Sequence, residues 1–280
     1  MSLSSIPSNL PTFDPVRLRE TILEMAYCGS TVHIGCALSI VDLLAVLYRN
    51  HLRYPGNDPR AVGRDYLVLS KGHGVMAQYA CMHELGWLDH ETHIKGYFKD
   101  GSELKGLSDS RVKGLEVTSG SLGHGFSIAV GIALGLKRLG AEQKVYVIVG
   151  DGEINEGPVW EGMLVAAHHR LDNLMLIVDA NGFQAMGRTD EVLGLGSLTS
   201  KLTSFEFTAV QIDGHDEQEI DAAVRSLWST ADGRPKAIVA KTVKGKGVAF
   251  MEHDNRWHYT RLGPETYAQA LDQVRAGRPE

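Results

Sequence analysis

The 280-residue chain lacks any apolar run of about 20 residues, the length a helix needs to cross a bilayer, so no membrane span is expected. An excess of one charge is also missing. The 34 acidic and 28 basic residues are interspersed, with a net charge of -6. That pattern offers no broad surface to nucleic acid or anionic lipid, and it favours a small molecule or another protein as partner. Cysteine is scarce. Cys28, Cys36 and Cys81 follow no metal-binding spacing, and their odd number argues for a reducing compartment without excluding one bridge, with all three read as structural. The opening MSLSSIPSNLPTF has neither the basic nor the apolar region of a secretory leader, so a cytoplasmic protein is expected. Internal repeats, coiled-coil heptads and low-complexity tracts are absent as well.

What is present is an alternation of helical and strand patterns. Pro7, Pro11 and Pro15 leave residues 1–14 as an irregular arm, with Pro15 suited to open a helix over VRLRETILEMAY. Leu38–Asn50 and Val75–Leu85 carry helical spacing, and between them Tyr66–Leu69 reads as a strand emptying into SKGHG. Residues 86–120 are polar and glycine-rich, too long for an ordinary linker, as functional loops often are. GFSIAVGIALGLKRLG then reads as a buried helix, followed by strand KVYVIV, helix Val159–His168, strand NLMLIVD and a polar loop through Ser204. Strand FTAVQID, helix Glu217–Trp228, strand KAIVAKT and a last helix complete the chain. Strands apolar on both sides, alternating with helices, predict a three-layer α/β/α domain over residues 15–280 with a mainly parallel sheet.

In such a sheet, ligands bind beyond the carboxyl ends of the strands. VIVGDGEINEGPVWEG places Asp151 at one strand end, and DANGF places Asp179 and Asn181 at the next. The Asp151 carboxylate and Asn181 amide oxygen are hard donors suited to Mg²⁺ or Ca²⁺, and a diphosphate could complete the shell. Gly150 and Gly152 permit close backbone approach, and the helix after Pro158 presents its N-terminus, though Glu161 lies in its first turn. The same residues also read as an acidic turn at a strand end followed by a helix cap.

GDGEINEGPVWEG followed by NLMLIVDANGFQ resembles the thiamin-diphosphate signature, a Gly-Asp-Gly opening and a closing asparagine about thirty residues on, and Arg17 to His258 is similar to the amino-terminal half of transketolases. The resemblance implies a thiamin-diphosphate-binding fold in which Asp151, Asn181 and the Phe183 carbonyl hold Mg²⁺ against the cofactor diphosphate. It implies that Glu156 joins the interior network of the signature, that Glu161 lies towards a dimer interface, and that Gly120 and Leu122 of TSGSLGHG lie beside the cofactor rings. His124 stands where larger relatives usually carry glutamine.

His33 in STVHIG and His73 in SKGHG enter loops where an imidazole can exchange a proton near neutral pH or anchor the loop. The family resemblance implies that both face the sugar and the thiazolium, and it adds His258. His215 in IDGHDE follows a strand, so Asp216 can cap the next helix while His215 points to the site. His253 has weaker support, and His168 and His169 read as surface residues at a helix end. Lys241, Lys244 and Lys246 read as an anionic-substrate rim or as a solvated face. Leu107 departs from the family, which commonly has a histidine there that touches the transferred group; leucine can neither donate nor pass a proton.

By the resemblance, one part is missing: the pyrimidine-binding domain, whose glutamate activates the cofactor. The expected protein is therefore the N-terminal subunit of a two-chain transketolase, moving a two-carbon ketol unit from a ketose phosphate to an aldose. Its expected partner is a C-terminal subunit carrying that domain, in an α2β2 assembly. A split enzyme for a sulfonated or other unusual ketose, and a noncatalytic regulatory subunit that binds Mg²⁺-diphosphate, are the alternatives.

Overall fold

The computed structural model describes residues 11–29 and 32–277, so positions 1–10 of the expected irregular arm lie outside the described residues. Helix α1 (Pro15–Cys28) starts where proline predicts, because the Asp14 carboxylate accepts the Val16 N–H at 2.9 Å and Pro15 has no N–H to satisfy. The chain continues through α2 (Ile34–Leu38), α3 (Val41–Val46), β1 (Tyr66–Leu69), α4 (Val75–Glu84), α5 (His124–Arg138), β2 (Val145–Gly150), α6 (Gly157–His168) and β3 (Leu174–Ala180). A short antiparallel pair, β4 (Phe183–Gln184) and β5 (Gly187–Arg188), is followed by α7 (Thr189–Leu193) and α8 (Leu198–Ser204). The chain then runs through β6 (Thr208–Asp213), α9 (Glu217–Ser229), β7 (Lys236–Lys241) and α10 (Pro264–Ala276).

Five strands form one parallel sheet in the order β1-β2-β3-β7-β6. Side chains alternate across a strand, and here both faces are apolar. Val145, Val147 and Val149 of β2 join a core with α5, α6 and α8, while Tyr146 and Ile148 join a second core with α1, α3, α4, α9 and α10. Each such side chain contributes about 1.5–3 kcal/mol on full burial, which explains why strands buried on both faces carry no polar alternation. The three-layer α/β/α architecture expected from the sequence is the one observed.

Two segments differ from expectation. The helix expected over Leu38–Asn50 is instead α3 and a π turn (Leu47–His51), with a break before α3. Ser39 lies in that break; its buried hydroxyl reaches Asp179 Oδ2 at 2.8 Å, so a side chain there serves the neighbouring layer. The polar loop expected through Ser204 contains β4, β5, α7 and α8. Parallel strands bring all carboxyl ends to one edge of the sheet, and the loops after β1, β2, β3 and β7 converge there.

Candidate active site

A cleft of about 530 Å³ opens at that edge, lined among others by Lys71, His73, Asp151, Asn181, Lys244 and His258. On one side the Asp151 carboxylate is buried and accepts N–H bonds from Gly152 at 2.8 Å and Gly182 at 2.7 Å. Burial, then the nearby Asp179 charge, push its carboxyl up to about 6, a cost that a bound cation would relieve. The Asn181 amide donates to Asp179 Oδ2 at 2.7 Å and accepts the Phe183 N–H at 3.0 Å, which fixes its oxygen as an acceptor. Two side-chain oxygens and a backbone turn with close glycine approach fit a hard divalent ion and a diphosphate. At Gly152 a Cβ would come within 2.6 Å of Gln184 Cβ, so the turn admits no side chain.

Below this turn lies an ion pair. Lys71 Nζ donates to Asp179 Oδ2 at 2.5 Å and to the Cys36 carbonyl at 2.9 Å, and both charges are buried. Thr242 and Ser39 hydroxyls also donate to Asp179. Burial alone would raise the Asp179 carboxyl, yet the ammonium and these donors hold it below the usual range. Next to it, Glu153 accepts from Ser70 Oγ at 2.5 Å and from the Gly123 and Gly150 N–H groups at 2.8 and 3.2 Å, tying β1, β2 and the start of α5 together.

The opposite side is an imidazole cluster. The rings of His33, His73 and His258 lie 5.1, 5.3 and 5.7 Å apart, pair by pair. They come from three distant segments, two of which are joined by the Val32–Thr260 bridge that sets His33 beside His258. Burial first, and the Lys71 and Lys244 charges after it, lower all three: His33 to about 4, His258 to about 3 and His73 well below the ordinary value. At neutral pH they are neutral imidazoles. Lys244 Nζ donates to His258 Nδ1 at 2.9 Å, which leaves the His258 ring proton on Nε2.

Residues 20–275 match the family described as transketolase, thiamine diphosphate binding domain. The chain belongs to the transketolase family. It is 36% identical over 257 residues to an apulose-4-phosphate transketolase subunit of Phocaeicola vulgatus, covering 91% of this chain and 90% of that protein. It is 37% identical over 258 residues to the 6-deoxy-6-sulfo-D-fructose transketolase subunit of a Clostridium species, covering 92% and 93%. The solved transketolase from Leishmania mexicana superposes with a TM-score of 0.86 at 28% identity, covering 93% of this chain and 40% of that one. The chain thus spans nearly all of the two relatives named as subunits, and less than half of the solved transketolase.

With the transketolase assignment in place, most expected positions converge. Gly120, Leu122, Gly150 and Phe183 line the same cleft, and Leu107 packs on Gly120, whose φ of 133° and lack of a Cβ permit that contact. Three expectations change. His215 does not enter the cleft: its Nδ1 meets Asp42 Oδ2 at 2.7 Å and its Nε2 accepts the Val243 N–H at 2.8 Å, so both ring nitrogens are engaged outside it. Glu156 lines the cleft as expected but is exposed at its margin, because the 3₁₀ turn Gly152–Asn155 carries it outward, and the carboxylate buried beneath is Glu153. The three lysines form no common rim: Lys241 is exposed, Lys246 half-buried and Lys244 buried in the cleft. Nor does Lys244 fit a solvated face.

His124, His168, His253 and Glu161 are exposed, and the three cysteines are free, with the Cys36 thiol donating to the His33 and His73 carbonyls. Lys71, Glu153 and Asp179 went unassigned in the sequence. Their signal was a charge within or up to three residues beyond an apolar strand, which at a buried sheet edge demands a partner.

Proposed function

We propose that the chain is the diphosphate-binding subunit of a two-chain, thiamin-diphosphate-dependent ketol transferase. The observation that carries this reading is one cleft in which Asp151 and Asn181 oxygens face three neutral imidazoles and a buried ammonium. Two relatives of nearly the same length, named as subunits of an apulose-4-phosphate and of a 6-deoxy-6-sulfo-D-fructose transketolase, support it. Asp151, Asn181 and the Phe183 carbonyl would hold Mg²⁺. Bound thiamin diphosphate supplies the electron sink that carbon–carbon cleavage needs and side chains lack.

This chain's residues do the rest of the work on its side. Lys244 places a positive charge where a diphosphate or substrate oxygen can use it. His258 offers an Nε2–H to a substrate oxygen, and His33 and His73 hold or move protons at sugar hydroxyls. Leu107 is 42% exposed and lines the cleft, so that wall offers contact without a hydrogen bond. Together with the two relatives' names, this favours a ketose other than the ordinary sugar phosphates as donor.

Apolar Met186, Val192 and Leu193 are exposed at the cleft rim, as a surface covered by a second chain requires. An α2β2 complex with a pyrimidine-binding chain accommodates this. Among the described residues no helix is long and apolar enough to cross a membrane. Calorimetric titration with thiamin diphosphate and Mg²⁺, with and without the second chain, tests the reading. Asp151→Ala and Asn181→Ala should each weaken binding at least about 10-fold, the worth of one charge-assisted contact. Unchanged affinity in both folded variants would remove the metal-site assignment, and ketol transfer by the chain alone would remove the partner.

A further inference from the structure

We propose that Asp42 and His215 are positioning residues, holding residues 243–246 so that Lys244 reaches His258. The proposal rests on the reading above only in taking the cleft as the active site. Asp42, buried in α3, receives both arms of the Arg19 guanidinium at 2.6 and 3.1 Å and His215 Nδ1 at 2.7 Å. Each of these donors also grips the loop after β7. His215 Nε2 accepts the Val243 N–H at 2.8 Å, and Arg19 Nε donates to the Lys246 carbonyl at 3.1 Å. The Val243 N–H fixes the tautomer: Nε2 carries no proton, so Nδ1–H donates to Asp42. One carboxylate therefore orients two clamps on residues three apart, and Lys244 stands between them.

Lys244 needs such clamps. Its ammonium is buried, and its hydrogen-bond partners are neutral: Asn255 Oδ1 at 2.6 Å and His258 Nδ1 at 2.9 Å. Burial lowers its pKa to about 8, so the charged side chain gains by turning to water whenever the backbone yields. Gly245 and Gly247 let the segment turn at φ values of 83° and 92°, and the clamps act together with backbone bonds from the Gly245 N–H to the Gly35 carbonyl at 2.9 Å and from the His253 N–H to the Lys244 carbonyl at 3.2 Å. No stiffer residue fits at 245, where a Cβ would come within 2.4 Å of the Met251 carbonyl. At 247 a Cβ would press on Arg19 Cδ at 3.0 Å, so the clamp itself occupies that space.

The test uses the full chain labelled with ¹⁵N-histidine, with the His258 ring signals assigned from His258→Asn. In His215→Ala the His258 Nδ1 signal should move away from its hydrogen-bonded position. Affinity for inorganic pyrophosphate with Mg²⁺ should fall roughly 10-fold. Adding His215→Ala to Lys244→Met should bring little further loss, the non-additivity expected of residues acting through one another. His215→Gln, which keeps an acceptor and a donor, should recover part of both effects. Tyr146→Phe, which removes the Trp228–Tyr146 hydrogen bond in the core, reports what general loosening does and should leave the His258 signal in place.

An unmoved His258 signal in folded His215→Ala, or additive losses in the double variant, would overturn the proposal. Should His215→Ala fail to fold, His215→Gln decides by the same signals. If the wild-type chain binds no pyrophosphate, the proposed function loses its support, while the His258 signals still judge the positioning.

Discussion

Two lysines reach the cleft equally buried, each 1% exposed, and their surroundings treat them in opposite ways. On the strand-end side Lys71 meets Asp179; burial alone would depress the ammonium, but the carboxylate raises it above its ordinary value. On the histidine side Lys244 meets Asn255 and His258, and burial brings it down to about 8. The difference is one carboxylate. A buried charge with its own counter-charge belongs to the scaffold, whereas one with neutral partners stays uncompensated and is the one on which the proposed anion binding rests.

Breaking the first region should have the largest effect. Asp179→Ala leaves the Lys71 charge buried without its carboxylate and strips the Asn181 amide of its acceptor. The expected loss is about 3–5 kcal/mol, read from urea unfolding, with much of it recovered by Lys71→Met in the same chain. A loss below about 1 kcal/mol would show that the ion pair is not part of the scaffold.

Lys244→Met is the matching change in the second region, and its stability effect should be small or favourable, within about 1 kcal/mol. Binding should suffer instead: affinity for pyrophosphate with Mg²⁺ is expected to fall about 10- to 100-fold, the range for hydrogen bonds to charged groups. The contrast between the lysines disappears if Lys244→Met unfolds the chain as Asp179→Ala does, or if calorimetry finds its affinity unchanged.

The two regions also differed in how far they could be read from sequence. Asp151 and Asn181 stand at the ends of neighbouring strands β2 and β3, in short continuous motifs, so spacing alone brings them together. His215 stands equally close to a strand end, but that strand is β6, at the rim of the order β1-β2-β3-β7-β6, and strand order is not written in local sequence. Glu153 and Glu156 are three residues apart on one turn, and only its handedness in space decides which faces inward. Lys244 looked like its neighbours Lys241 and Lys246 because the clamps on its loop come from Arg19 and His215, far away in the chain. The sheet was legible because both-face burial leaves its mark on every strand residue; the side-chain networks over it were not, because each is set by contacts across long separations.

The smallest effect should appear in the pH dependence of stability, which separates the regions again. His33 is lowered to about 4 and His258 to about 3, by burial first and the Lys244 charge next. A lowered folded pKa means the unfolded chain takes protons that the folded chain refuses. Stability from these rings is therefore complete above about pH 6.5 and is lost as pH falls towards 4. Asp179, held below its ordinary 3.8, loses its contribution only at lower pH, so the histidine side titrates while the ion pair stays intact. Both rings keep partial contact with solvent, so each should give only a fraction of the roughly 1.4 kcal/mol per pH unit of a fully buried group. Urea unfolding of the wild-type chain between pH 7 and about 4.5 should show a steeper decline than the His33→Asn/His258→Asn double variant. Lys244→Met should fall between them, because removing the ammonium lets both imidazoles accept protons more readily. Parallel slopes in all three proteins would mean that the imidazoles titrate as they do in the unfolded chain, and that the Lys244 charge is already screened by water.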